Sequence, residues 1–248
     1  MPREFEVRKE VQLPADPEAV WEAVATGPGI DSWFMGRHEV DAEAKRIRFR
    51  LGEMRTEAEI TAWDPPRRFA YRGEPAEDGT FDAMEFLVEA AEGGTSVLRF
   101  VHRGFVQDGW DDEYHESFAV GWEMYLHTLA QVLAHFPGRF ATYVTADGPA
   151  SSASREAWPK LLAALGLPAE PSAGQAVQFS VGDDVIEGVL DYSTPNFAGV
   201  RTEDALYRFH ERSLLGMPVA VGHHLFRPDV DETAESATWS RWLADALS

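Results

Sequence analysis

Between Arg46 and His102 apolar and polar residues alternate almost without interruption, and directly after it the period changes to that of a helix. Ile47, Phe49 and Leu51 fall on one face of "RIRFRLG", Ala58, Ile60 and Ala62 on one face of "EAEITAW", and Phe69 with Tyr71 on one face of "RFAYRG". Met84, Phe86 and Val88 follow in "MEFLVEA", then Leu98, Phe100 and His102 in "SVLRFVH". Period two over several segments separated by Asp64-Pro65-Pro66, Glu77-Asp78-Gly79 and Glu92-Gly93-Gly94 predicts an antiparallel meander with one dry and one wet face. Tyr114, Phe118, Trp122, Tyr125, Leu129, Val132, Leu133 and Phe136 then recur at steps of three and four, which predicts one long helix stopped by Pro137-Gly138. Such a sheet buries its apolar face only by wrapping around that helix, so the class is α+β with a curved antiparallel sheet.

The chain ahead of the meander fits the same plan. Phe5, Val7, Val11 and Leu13 alternate with charges as a half-buried strand, and Asp16-Pro17 is an N-cap and first helical residue for a helix carrying Val20, Trp21 and Val24. "GPGI" is read as the break that ends this helix, with a further short turn opening at Asp31.

Two stretches share one spacing. "WEMYL" begins at Trp122 and "WSRWL" at Trp239, each in a closing helix, the second with Trp239, Trp242, Leu243 and Ala246 on one stripe. Between them the order of elements recurs: a strand in "RFATYVTA", a helix over "SSASREAWPKLLAALGL", strands from "QAVQFSVG" to "VAVGHHLFRP", and the last helix. The segment "IRFRLGEMRTEAEITAWDPPRRFAYRGE" lies on "VQFSVGDDVIEGVLDYSTPNFAGVRTED" without a gap, pairing Gly52 with Gly182 and Glu57 with Glu187. The expectation is a repeated unit with the second copy reduced, divided into residues 1–137 and 138–248. The alternative is a single such domain with an accessory α+β extension.

"VQLPADPEAVWEAVATGPGIDSWFM", "ITAWDPPRRFAYRG", "VLRFVHRGF" and "GWEMYLHTL" together resemble the helix-grip, or START-like, superfamily (SRPBCC), and within it the Hsp90 ATPase activator homologues (AHSA1-like). The resemblance covers roughly residues 4 to 136 and rests on apolar and turn-forming motifs, which specify a fold better than an activity. It implies about six or seven strands gripping one C-terminal helix, with a cavity between that admits apolar or aromatic small molecules. It carries over no catalytic residue.

Charge and composition narrow the partners. A formal charge of −20, from 42 acidic and 22 basic residues, opposes nucleic acid and anionic membranes. With no cysteine, thiolate metal sites, disulfides and cysteine nucleophiles are excluded. No run approaches the roughly 20 apolar residues of a membrane span, and "MPREFEVRKEVQLP" lacks the apolar stretch of a signal peptide. A cytoplasmic location is expected.

The aromatic supply is the main functional signal. Trp33, Phe49, Met54, Trp63, Tyr71, Phe86, Phe100, Phe118 and Trp122 are the candidate lining of a pocket, and His102, inward with Phe100, is its candidate polar group. Arg72, Arg99 and Arg103 are candidate carboxylate clamps or surface ion-pair partners, and Glu113, His115 and Glu116 a solvated helix start or a general base with its carboxylates. His223-His224 alternate across a strand, leaving His210 with Glu187 or Asp191 as a poor metal set, so no metal and no cofactor is expected. No phosphate loop, dinucleotide glycine signature or G-x-S-x-G elbow is present. The expected function is non-enzymatic binding of a small hydrophobic molecule, with a stress- or chaperone-related role by the resemblance. A polyketide cyclase or hydrolase using His102 or a carboxylate is the alternative, and a surface for a protein partner or homodimer is a third.

Overall fold

The computed structural model describes the backbone of residues 3–106 and 112–248, and the side chains of residues 4–105 and 119–248. The chain forms two compact units, Met1–Phe140 and Ala141–Ser248. Each is an antiparallel sheet with few helices, so the architecture is α+β.

In the first unit β1 (Arg3–Leu13) leads into α1 (Pro17–Ala25) and α2 (Gly27–Asp31). The strands β2 (Arg37–Asp41), β3 (Arg46–Leu51), β4 (Met54–Asp64), β5 (Arg68–Gly73), β6 (Phe81–Ala91) and β7 (Thr95–Val106) follow, and α3 (Asp112–His135) closes the unit. The sheet order is β1-β7-β6-β5-β4-β3-β2, a meander whose last strand returns to pair with the first. The Asp16 carboxylate accepts from the Ala19 amide at 2.9 Å with Pro17 behind it, the cap read from sequence. "GPGID" corrects the expected break: it is itself a helical turn, because the Thr26 hydroxyl accepts from Gly29 N–H at 3.1 Å and Pro28 sits where no amide donor is needed. β2 was not singled out by periodicity, since its five residues hold one buried side chain.

The core runs along the inner face. Leu13, Phe69, Leu98, Phe100 and Leu129 are fully buried, each contributing about 1.5–3 kcal/mol through removal of its side chain from water. Curvature has a visible device in β7, where Gly104 approaches Phe81 so closely that a Cβ would lie 2.0 Å from that carbonyl oxygen.

In the second unit β8 (Thr142–Asp147) precedes α4 (Ala157–Ala164), then β9 (Ala176–Val181), β10 (Asp184–Ser193), β11 (Phe197–Arg201), β12 (Ala205–His210), β13 (Ala220–Leu225) and α5 (Glu232–Ala246). Its sheet order, β8-β13-β12-β11-β10-β9, is the order of the first sheet with one strand fewer. α4 is shorter than expected: it begins at Ala157, which puts Pro159 in the first turn, whereas a start near Ser151 would place a ring without N–H in the helix interior.

The alignment holds in three dimensions through the hairpin and the bulge and then needs a one-residue gap, since Ile60 faces Tyr71 whereas Leu190 faces Val200. Gly52 and Gly182 each open a two-residue hairpin with φ of +55° and +61°. The pairs Leu51 with Met54 and Val181 with Asp184 flank them. A register shift falls between Ile60 and Ala62 in one unit and between Leu190 and Tyr192 in the other. Beside each bulge one amide crosses to the residue before the hairpin's first strand, Ile60 N–H to Lys45 C=O at 3.0 Å and Leu190 N–H to Gln175 C=O at 2.9 Å.

Candidate functional site

Cross-strand register places the first unit's chemistry in rows. Ile60, Tyr71, Met84, His102 and Val7 face one another in turn across β4, β5, β6, β7 and β1. Phe69, Phe86 and Phe100 form the row on the closed side. On the other side Asp82 pairs with Gly104, which pairs with Phe5, and a Cβ on Gly73 would sit 3.3 Å from Asp82 Oδ1. Along the inner face of β6 exposure rises from Val88 at 2% and Phe86 at 3%, through half-buried Met84, to Asp82, whose side chain is 56% exposed. Met54 at the β3–β4 hairpin is 50% exposed, and Phe49, Leu51, Ala58 and Tyr71 are half-buried. Exposure on the inner face thus rises from the buried Phe69–Phe86–Phe100 row toward Asp82.

The wall opposite is aromatic. Trp122 of α3 lies 4.1 Å from Phe100 and stacks on Phe34 with centroids 5.1 Å apart and planes 4° from parallel. Tyr125 meets the same Phe34 ring edge-on at 4.7 Å. His38 sits between Phe34 and Phe49, its Nδ1 2.9 Å from Asp31 Oδ1.

His102 is the polar centre of the wall. Indole N–H groups only donate, so the 3.0 Å bond from Trp122 Nε1 to His102 Nδ1 fixes the neutral tautomer with its proton on Nε2. Burial pushes the imidazole down to about 4, keeping it neutral near pH 7. Nε2 lies 4.0 Å from Asp82 Oδ2. Although over half of the Asp82 side chain is open, its carboxyl is crowded enough by neighbouring atoms that lost hydration raises its pKa. Tyr71 is likewise raised by burial, with the Asp82 charge adding to it, and its hydroxyl donates to Met84 Sδ at 2.8 Å. His102 therefore offers a donor, Asp82 an acceptor, and the lone pair a histidine base needs is already engaged.

The structure brings together Phe49, Tyr71, Phe86, Phe100, His102 and Trp122 of the expected lining, with Met54 at its open rim. It sets Trp33 apart as a buried strut whose indole donates to Ala23 C=O at 2.9 Å. Trp63, 38% exposed, packs against Trp21 and Phe69 at the closed end. The Phe118 side chain, with those of Trp110, Glu113, Tyr114, His115 and Glu116, lies outside the described residues. Arg99 pairs with Glu10 and Glu89, and Arg72 lies over the outer ring of Phe81, so neither is turned to the concave face. Asp82 is an addition. Asp82 reads in sequence as an ordinary strand-end acid, and only its place in the His102 rows shows its relevance.

The second unit repeats one feature of the wall. His223 on β13 pairs with Val144 on the unit's first strand, as His102 pairs with Val7, and each histidine meets the tryptophan of the closing helix. His223 Nδ1 accepts the Arg208 amide at 3.0 Å, mending the ladder, and its edge points at Trp239 with centroids 4.1 Å apart. Phe179, Tyr207, Phe209 and Trp242 close around Trp239. Glu187 is bonded to Gln178 and Asp191 to Arg208, and among the described residues no group of three potential ligands is placed to hold a metal ion.

Residues 14–134 match the family model described as activator of Hsp90 ATPase homolog 1-like protein (AHSA1). This stretch is an AHSA1-like domain of the helix-grip superfamily. Among solved structures, the Aha1 dimer from Colwellia psychrerythraea is 19% identical, covering 52% of this chain and 96% of its own, with TM-score 0.43. A Mesorhizobium loti protein is 20% identical over 53% of this chain and 98% of its own, with TM-score 0.46. A Bacillus halodurans protein is 26% identical over 53% and 99%, with TM-score 0.43. No curated protein matches the chain. Among the described residues no helix is long and apolar enough to cross a membrane.

Proposed function

We propose that the first unit is a non-enzymatic binding domain that holds one small aromatic or apolar molecule between α3 and the open apolar floor of β3–β6. The observation that carries this is the burial gradient along β6: an inner-face strand in mid-sheet ends half-exposed, beside Phe49, Met54 and Tyr71, where a molecule's apolar body would complete the core. Catalysis by His102 has less support, because its pKa of about 4 and its engaged Nδ1 suit a donor rather than a base.

The second unit is read as a copy of the first, one strand shorter, whose equivalent interior is filled by its own aromatic side chains around Trp239. Native mass spectrometry of the purified protein, followed by thermal shift with 2-naphthylmethanol, tests both readings. One ligand per chain and a melting shift that grows with concentration are expected. A protein that carries nothing and does not shift overturns the binding reading, and two ligands per chain overturn the filled second interior.

A further inference from the structure

Asp82 is a carboxylate placed on the inner face of a sheet, in a row with Gly73, Gly104 and Phe5, beside a neutral histidine. Among the described residues no arginine or lysine lies within 4 Å of it, while Glu6, Glu10, Arg8 and Arg99 pair off on the outer face. Lys9, the inner-face cation of β1, is bound to Glu123 of α3 at 2.5 Å. The two glycines leave no side chain beside the carboxylate, and the ring of Phe5, edge-on to His102 at 4.9 Å, and Tyr71 flank the same space. Among the described residues this half-sheltered anion has no cationic partner, whereas the outer-face acids Glu6, Glu10, Glu85 and Glu89 each pair with an arginine.

We infer that the first unit selects an aromatic amine: the ring system lies on the apolar floor beside Phe49, Met54 and Tyr71, and the ammonium pairs with Asp82. This rests on the binding reading above and adds its charge selectivity. Three features favour a cation over a neutral hydroxyl or an acid. Ammonium donates charge-assisted bonds to a carboxylate, roughly twice as strong as neutral ones. Aromatic faces attract it further. The chain's charge of −20 concentrates cations and repels carboxylates. His102 Nε2–H, 4.0 Å from Asp82, is poised to orient the carboxylate without neutralising it.

The test uses three probes of one shape, 2-naphthylmethylammonium, 2-naphthylmethanol and 2-naphthoate, titrated calorimetrically into the full chain and into Asp82→Asn. The exposed position of Asp82 makes the substitution tolerable to the fold, and Asp82→Ser serves as a second variant. The expected order is amine over alcohol over acid, with the amine at least about tenfold tighter than the alcohol. In either variant the amine should fall to the alcohol's affinity while the alcohol changes less than about twofold. Equal affinity of amine and alcohol, or a preference that survives in both variants, overturns the charge selectivity and leaves the binding domain standing. Failure of all three probes to bind overturns the binding reading, and this inference with it.

Discussion

His102 provides a stability measurement that probes the wall without any ligand. Its imidazole is pushed down to about 4 by burial, against 6.5 in the unfolded chain. Above pH 6.5 the group is neutral in both states and contributes nothing. Below that, the unfolded chain takes up a proton that the native histidine refuses, so stability is lost as pH falls from 6.5 to 4. With about 1.4 kcal/mol per pH unit, the loss reaches roughly 2 kcal/mol at pH 5. His102→Gln keeps an acceptor for the Trp122 indole and cannot titrate. Urea denaturation read by pulse hydrogen exchange and mass spectrometry isolates β6 and β7, so the first unit is followed by itself. The parent should lose about 2 kcal/mol more than the variant between pH 7.5 and pH 5. His210, pushed down to about 3, and His223, also lowered, remain in both proteins and cancel in the comparison. Parallel pH curves for parent and variant would refute the buried neutral tautomer and with it the donor role of Nε2.

Three further measurements address separate parts of the molecule. Trp122→Phe removes the bond to His102 Nδ1, and should cost about 1–3 kcal/mol. It should also shift the ¹⁵N signals of the ring toward a mixture of tautomers, which an unchanged spectrum would contradict. In the second unit, Arg208 and Asp191 form a buried bidentate pair at 2.8 and 2.9 Å. Asp191→Ala should cost about 3–5 kcal/mol in urea denaturation, and the double change Asp191→Leu with Arg208→Met much less. Gly52→Ala and Gly182→Ala, at matching left-handed positions, should each cost about 1 kcal/mol and by similar amounts.

The strands were legible because a half-buried sheet writes its face into the sequence at period two, and β3 to β7 show that period in Ile47, Ile60, Phe69, Phe86 and Phe100. The capped start of α1 was legible for a local reason, since Asp16 and Pro17 act within one turn. α2 was not, because the Gly and Pro of "GPGID" signal a break wherever they stand, and only the Thr26 hydroxyl turns them into a helix start. α4 was overextended because helix-forming Ser and Ala before it hid the limit set by Pro159.

The site was legible in type and not in membership. Composition showed that aromatic residues abound, but Trp33 and Phe34 are adjacent and differ wholly in role: one indole is tied to Ala23 C=O, while the neighbouring ring stacks on Trp122. That division depends on the turn that follows α2, where the Trp33 and Phe34 amides both bond back to Ile30 C=O, and period alone does not show it. Asp82 depends on register still more. One residue either way along β6 would place its carboxylate on the wet face among the arginines, where an acid is unremarkable. On the inner face, beside Gly104 and 4.0 Å from a histidine held neutral by burial, the same carboxylate has no cationic partner among the described residues. The repeated tryptophan spacing has its physical reason in the same place. A closing helix in this topology must set a large side chain against the last strand, and in both units that strand offers a histidine. The first histidine turns Nε2 toward Asp82, and the second bonds the Arg208 amide through Nδ1 and packs its ring against Trp239.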